Sequence, residues 1–336
     1  MKNKKVILVD GSNLVYRMYY VHKNLNNSLN IHTGAIYGFF KMLFYYSRVL
    51  KCRNFVLCWE SSTNWRNKFY PDYKKNRKIV FPDEINEALK QSNNGQNTNL
   101  VSLFSTGEIN ELKNISEKAI DKLKILFSIM IIKNIAEKAG IYNATADNCE
   151  SDDVIAYLTK KFRSNVKIIS GDKDFMQLVN DKQKIRLIYV NNNINSYKIM
   201  NVKEVLDKYD VYPEEFPLYL ALKGDDVDDI PGLPGVGEKR AVQLVHKLRF
   251  IGNHLKKIIT NEKDREIVNR NKTLIDLNVG SSMVSNNGLK LKRNEKIDVN
   301  QLKEMLKFLE IKSFNEIDLL KISATPKFVN YIKNKF

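Results

Sequence analysis

Three short stretches of the chain are largely apolar: KVILVD (5–10), NFVLCW (54–59) and VKIIS (166–170). Near-continuous rather than alternating apolar residues suit strands covered on both faces, as in a parallel sheet. Elsewhere the period is helical. SDDVIAYLTKKF (151–162) carries acids in its first turn and lysines in its last, the polarity that the helix dipole favours, and leads straight into the third strand. EKRAVQLVHKL (238–248) places Ala241, Leu244, Val245 and Leu248 on one face. Helical periodicity also runs from about Glu117 to Lys138. The pattern predicts α/β alternation followed by a helical subdomain. Between Arg77 and Glu150 it weakens, and QSNNGQNTN (91–99), uncharged and without an apolar residue, reads as the loop tip of an insertion.

A chain of 336 residues can bury a real core as one large domain or two modest ones. Charge adds a partner: 55 Lys and Arg against 38 Asp and Glu, with a pI near 9.5, give a positive field that draws nucleic acid or another polyanion. Cys52, Cys58 and Cys149 lack CxxC spacing, which excludes a disulfide framework and a zinc ribbon and points to a reducing compartment. The start MKNKKVILVDG enters a strand too soon for a signal or transit peptide. The longest apolar run, ILFSIMII (125–132), falls far short of the roughly 20 residues that span a bilayer. A soluble, cytoplasmic protein without membrane contact is expected. His22, His32, His246 and His254 coincide with no motif and read as surface or packing residues.

The residues just past each strand matter most, because in open parallel sheets the active crevice lies beyond the strands' carboxyl ends. The first strand ends at Asp10, the second runs into Glu60, and the third opens onto Asp172 and Asp174; the helix before the third begins with Glu150, Asp152 and Asp153. Each has an ordinary reading alone: Asp10 shaping a turn, the trio capping a helix, SGDKD as a surface turn, Glu60 as an unremarkable acid after a strand. Together they converge on one sheet edge. Like charges 4 Å apart repel by about 1 kcal/mol in water and about 4 kcal/mol at an effective dielectric of 20, so such a cluster calls for a cation. All-oxygen ligation selects Mg²⁺ or Mn²⁺ over zinc. A pair of such ions can activate water and stabilise the leaving oxygen of an in-line phosphoryl displacement.

The runs ILVDGSNLVYR (7–17), YPDYKKNR (70–77), CESDDVIA (149–156), ISGDKDFMQL (169–178) and YDVYPEEFPLYLALKGDDVDDIPGLPGVGEKRA (209–241) resemble the 5′ nucleases: the N-terminal domain of bacterial DNA polymerase I, stand-alone phage enzymes and flap endonucleases. The resemblance spans residues 1–80 and 140–285 approximately. It implies a PIN-like α/β domain over 1–215, a parallel central sheet flanked by helices with a helical arch insertion at 70–135. A helix-hairpin-helix DNA-binding subdomain over 216–290 and a C-terminal extension over 291–336 of unassigned role complete the expected organisation. The implied metal ligands are Asp10, Glu60, Glu150, Asp152, Asp153, Asp172, Asp174, Asp225 and Asp228, holding about two Mg²⁺ ions for which Mn²⁺ can substitute. Asp10 and Asp153 count also as catalytic, beside Lys74 and Arg77. Glu60 stands where the family usually has Asp, Ser151 where it has Ala and Cys149 where it has Tyr; the last two are expected to leave the ligands unaltered. Asp226 and Asp229 are extra acids.

PGLPGVGEKRA resembles the family's helix-hairpin-helix. Gly232, Gly235 and Gly237 let the backbone bend tightly, amides at the following helix start can hold a phosphate without reading sequence, and Lys239 and Arg240 add charge. The resemblance leaves room for K⁺ on the hairpin carbonyls. NKFYPDYKKNRK (67–78) interleaves five basic residues with Phe69, Tyr70 and Tyr73, a mixture suited to single strands. By resemblance Lys74 and Arg77 begin the arch and meet the scissile phosphate, Tyr73 supports the neighbouring base, and Arg17 and Arg66 add positive charge. The expected function is a stand-alone, monomeric, Mg²⁺-dependent, structure-specific 5′ nuclease, a 5′→3′ exonuclease and flap endonuclease of replication or repair. Its substrates would be branched or 5′-ended DNA and RNA–DNA primer duplexes; replication partners are not named by the sequence. The rivals are a catalytically silent DNA-junction binder on the same scaffold and a PIN-like ribonuclease. The first has no need of the CESDD acids, and the second lacks the hairpin.

Overall fold

The computed structural model describes residues 4–79, 81, 85, 116–190, 196–250 and 258–336. In chain order these form β1 (Val6–Asp10), α1 (Gly11–Val21), α2 (Gly34–Val49), β2 (Phe55–Cys58), α3 (Trp65–Phe69), α4 (Glu117–Lys138), β3 (Tyr142–Ala146), α5 (Ser151–Phe162), β4 (Val166–Ser170), β5 (Arg186–Val190), β6 (Tyr197–Met200), α6 (Val202–Tyr209) and α7 (Phe216–Lys223). The two-residue strands β7 (Gly224–Asp225) and β8 (Ile230–Pro231) come next, then α8 (Glu238–Phe250), α9 (Glu262–Ile275), α10 (Leu277–Asn287), β9 (Leu289–Lys292), α11 (Val299–Phe308), α12 (Glu316–Leu320) and α13 (Pro326–Lys333). By internal contacts the chain divides into two units. The first comprises Met1–Asp10, Thr63–Arg77 and Thr145–Lys290; the second comprises Gly11–Ser62, Lys78–Ala144 and Leu291–Phe336.

In the first unit the strand order is β6-β5-β4-β1. β1 pairs parallel with β4 from Val6↔Val166 to Val9↔Ile169, β4 pairs parallel with β5, and β6 closes the row antiparallel. β1 is buried along its whole length, which is why its sequence does not alternate. Parallel pairing brings the carboxyl ends of β1 and β4 to one edge, as the sequence predicts. α5 packs on α10, and α7 packs on α9. α5 owes its start to Glu150 and Asp153, which form a capping box, and its end to Arg163, which turns into the left-handed region at φ 67°.

In the second unit β2 pairs parallel with β3 from Val56↔Tyr142 to Cys58↔Ala144. YNATA does not read as a strand because Asn143 interrupts the apolar run; that side chain is buried, accepting from Trp59 Nε1 at 2.7 Å and donating to the Lys133 carbonyl at 3.2 Å. The C-terminal extension covers this unit. Phe314 meets the Phe40 and Phe44 rings at 5.9 and 5.2 Å, Phe328 meets Tyr142 at 5.9 Å, and Ala324 N–H donates to the Gly140 carbonyl at 3.2 Å. Among the described residues no helix is long and apolar enough to cross a membrane. The Asn-rich tip 91–99 lies outside the described residues.

Candidate active site

Four pieces of the first unit bring acids together. β1 ends on Asp10, whose buried carboxylate accepts from Ser170 Oγ at 2.8 Å and from Ser151 Oγ at 3.1 Å. Ser151, the departure expected to leave the ligands unaltered, thus touches Asp10. β4 ends at Ser170, whose hydroxyl also accepts from Asp172 N–H at 3.0 Å; Asp172 in turn caps the turn at Asp174 N–H, 2.9 Å away. The start of α5 presents Glu150 and Asp152, and the β7–β8 hairpin presents Asp225 and Asp228. Carboxylate oxygens of Asp174, Asp225 and Asp228 lie within 4.8 Å of one another.

Electrostatics identify this cluster as a place of conflict. Burial, reinforced by the charges of Asp10, Asp172 and Glu150, pushes the Asp152 carboxyl well above the usual range. Burial together with Asp172, Asp228 and Asp225 does the same to Asp174. Asp174 Oδ1 is buried and meets no hydrogen-bond donor. Glu150 goes the other way: burial opposes its ionisation, but Lys74 and Arg66 outweigh it and hold the carboxyl down to about 2.

The cations come from residues 63–77 and from the turn after β4. Lys74 Nζ lies 2.7 Å from Glu150 Oε1 and 3.8 Å from Asp228 Oδ2, Arg77 Nη2 lies 2.6 Å from Asp228 Oδ1, and Lys173 Nζ lies 2.9 Å from Asp225 Oδ2. Lys74 adopts φ 52°, uncommon for a side chain of this size, and its N–H donates to the Asp228 carbonyl at 3.0 Å. Asp229 is not in the cluster. It accepts from the Asn76 amide at 2.9 Å and so anchors the 75–77 turn.

Three residues stand elsewhere than their sequence suggests. Arg66, expected on a DNA-facing surface, is 2% exposed, and Asp153, expected as a ligand, is wholly buried. Arg66 Nη1 and Nη2 grip the two Asp153 oxygens at 2.9 and 2.7 Å in a buried ion pair. Tyr73, expected to support a base, is 3% exposed, and its hydroxyl donates to Glu150 at 2.9 Å and sits 3.2 Å from Asp228. Aromatic–basic alternation reads as surface until packing decides otherwise. The spacing of Glu150 and Asp153, N-cap and third helical residue, fits the bond that Asp153 Oδ2 accepts from Glu150 N–H at 3.1 Å. Sequence reasoning also missed Asn271, fully buried, which donates to the Ala221 and Pro231 carbonyls at 3.0 and 2.7 Å and ties the hairpin to α9.

Glu60 and Arg17 belong to the second unit. Glu60 is exposed after β2, where its charge acts on Lys133, whose Nζ lies 5.2 Å over the Trp59 ring; Arg17 is half-buried on α1. In the first unit the hairpin before α8 is open: Gly235 (φ 71°), Gly237, Lys239 and Arg240 are exposed, with space where a Cβ on Gly237 would stand. Gly232 is different, since its Cβ would lie 2.1 Å from the Lys223 carbonyl oxygen.

Comparison with known proteins decides the family. The model for the 5′-3′ exonuclease N-terminal resolvase-like domain matches residues 5–210, and that for the 5′-3′ exonuclease C-terminal SAM fold matches 211–307. The chain belongs to the 5′-3′ exonuclease family. As a member it is a 5′ nuclease, an enzyme that hydrolyses phosphodiester bonds. The family's 5′-3′ exonuclease from Aquifex aeolicus is 32% identical over 335 residues, 96% of this chain and 99% of that one. DNA polymerase I of Bacillus subtilis is 26% identical over 261 residues, 76% of this chain but 25% of the polymerase. The fold is also that of the phage T5 D15 protein crystallised with metal ions, at a TM-score of 0.60, 19% identity, and 95% and 99% coverage of the two chains.

Proposed function

We propose that this 5′ nuclease is structure-specific and uses divalent cations, removing nucleotides from 5′ ends and cutting flaps at their junction with duplex DNA, RNA primers included. The carrying observation is the Asp174–Asp225–Asp228 triad with its unmatched Asp174 oxygen, set among acids too close to share one charge state. An all-oxygen donor set of this kind fits Mg²⁺, with Mn²⁺ as substitute. Asp10, Glu150, Asp152, Asp172, Asp174, Asp225 and Asp228 would hold the ions, and Glu60 is retained as a candidate. Bound there, such ions would supply charge that makes water nucleophilic and stabilises the leaving oxygen. Metal ions and DNA in the T5 D15 pseudo-enzyme–product complex support this reading.

The chain's own part is to place the phosphate. Lys74 and Arg77, paired with acids at the rim, can exchange those partners for phosphate oxygens and offset charge as it develops. The exposed amides and cations after Gly237 suit backbone phosphates of the duplex, and the hairpin carbonyls remain a candidate K⁺ site. The test is cleavage of a 5′-labelled double-flap DNA with Mg²⁺ and with EDTA. Mg²⁺-dependent release of the flap with one paired nucleotide is expected. Tight binding without cleavage in Mg²⁺ and Mn²⁺ would favour the silent junction binder, and cleavage confined to single-stranded RNA would favour the ribonuclease.

A further inference from the structure

Arg66 is among the largest fully buried side chains of the described residues. Its Nε donates to the Leu274 carbonyl at 2.8 Å, its other nitrogens hold Asp153, and Nη1 lies 3.2 Å from Glu150 Oε2. The guanidinium stands 4.5 Å over the Trp65 ring and 5.9 Å from that of Tyr73. Such a fork is geometrically fixed in a way a lysine is not.

The Asp153 carboxylate is heavily committed within the protein. Oδ1 takes Arg66 Nη2, and α10 packs so tightly that a Cβ on Gly280 would come within 1.7 Å of that oxygen. Oδ2 takes Arg66 Nη1 at 2.9 Å, Trp65 Nε1 at 3.0 Å and Glu150 N–H at 3.1 Å. Four donors thus converge on this carboxylate, three of them on Oδ2, while the close approach of Gly280 crowds Oδ1. Glu150, in contrast, divides its two oxygens: Oε1 faces Lys74 at 2.7 Å, while Oε2 faces Tyr73 at 2.9 Å and Arg66 at 3.2 Å.

We propose that Arg66 is a positioning residue of the nuclease site: a resident cation that takes Asp153 as counter-ion and keeps it out of the metal set, and that holds Glu150 aimed when Lys74 turns to the substrate phosphate. The two cations on Glu150 differ in kind. Lys74 can leave because it is at the rim; Arg66 cannot, because leaving would strand Asp153 buried and unpaired. This inference rests on the metal-dependent nuclease reading and assigns the device that keeps its ligands in order.

The test uses the full chain as wild type, Arg66→Lys, Asp153→Asn and the double variant, with thermal melts to confirm folding. Mn²⁺ binding without DNA is followed by calorimetry, and kcat and KM are measured on flap DNA. Arg66→Lys keeps the charge and should keep the fold while losing the fork. Loss of an outer partner typically weakens metal binding or activity by about 10 to 100-fold. Both single variants should bind as many ions as wild type but more weakly, lower kcat with KM for DNA unchanged, and fail to add in the double variant. Asp153→Asn binding one ion fewer than Arg66→Lys would make Asp153 a ligand and overturn the proposal. So would wild-type kcat and Mn²⁺ affinity in Arg66→Lys. Because binding is read directly, a wild type that binds Mn²⁺ without cutting DNA would sink the nuclease reading and leave the positioning role intact, whereas one that binds no Mn²⁺ would overturn both.

Discussion

Asp121 in the second unit and Asp152 and Asp174 in the first are ionisable groups taken from water, and the chain treats them in opposite ways. In the second unit Asp121 is matched: Tyr19 Oη donates to Oδ1 at 2.6 Å and Lys23 Nζ lies 3.0 Å from Oδ2. Beside it the His32 ring packs 4.5 Å from the Tyr19 ring, and its Nε2 accepts from Ala35 N–H at 3.0 Å. In the first unit Asp152 and Asp174 are pushed toward protonation by burial and by neighbours of their own sign, and one Asp174 oxygen has no donor. Burial alone therefore does not mark a site. A buried acid with its partners supplied is structure, whereas one surrounded by acids waits for something the chain does not provide.

The sharpest way to break this contrast is to neutralise an acid in the unmatched group. Asp174→Asn should cut turnover on flap DNA on the order of 10³-fold, more than the roughly 10 to 100-fold cost of an outer partner. It should also raise metal-free stability by about 1 kcal/mol, the scale of one like-charge pair in water. Saturating Mg²⁺ at a hundredfold excess over Kd should stabilise wild type by about 2.7 kcal/mol and the variant by less. Equal turnover and equal Mg²⁺ stabilisation would remove Asp174 from the site.

The matched group should answer to pH instead. Burial, with help from the Lys124 and His22 charges, lowers the His32 pKa to about 4, against an ordinary value of 6.5. The unfolded chain thus binds the proton first. Stability from this residue is full above about pH 6.5 and falls by about 3 kcal/mol as the pH drops to 4. Urea melts of wild type and His32→Gln across that window should differ in slope, and identical slopes would place the ring in water. Tyr19→Phe, which takes one donor from Asp121, should cost about 1–3 kcal/mol without changing Mg²⁺ dependence. A smaller effect is expected at the rim. Lys74→Ala should reduce the salt slope of DNA binding by about 1 across all sequences, and an unchanged slope would leave Lys74 paired to Glu150 alone.

The parts of this organisation that are legible in the sequence are those set by the backbone. β1, β2 and β4 are apolar runs, and the acids beyond β1 and β4 follow from strand direction. β3 is hidden because a polar residue, Asn143, meets its partners inside the core. The distinction between Asp152 and Asp153 is hidden for another reason. Adjacent residues at a helix start point roughly 100° apart, and only packing decides which meets the cluster and which meets Arg66. Arg66 and Tyr73 carry polar groups that suggest a surface, yet here those groups satisfy buried acids. Lys74 and Arg77, whose role depends on reach rather than burial, stand at the rim near Glu150 and Asp228.

The smallest expected effect tests how much of the order around Asp10 is redundant. Ser151 Oγ lies 3.1 Å from Asp10 and 3.2 Å from Asp152, but its one hydrogen can serve only one of them at a time. Ser170 Oγ lies closer to Asp10, at 2.8 Å, and also accepts the Asp172 amide, so it links two acids of the cluster at once. Asp10 thus keeps its better donor when Ser151 is lost. Ser151→Ala should change kcat by no more than about threefold and stability by about 0.5–1 kcal/mol, near the net value of a single hydrogen bond. Ser170→Ala should exceed it on both counts, because it takes the shorter-held donor from Asp10 and also leaves the Asp172 N–H without its acceptor. Measured side by side in the flap assay and in thermal melts, the reverse order would mean that Ser151 is a stronger support of Asp10 than Ser170.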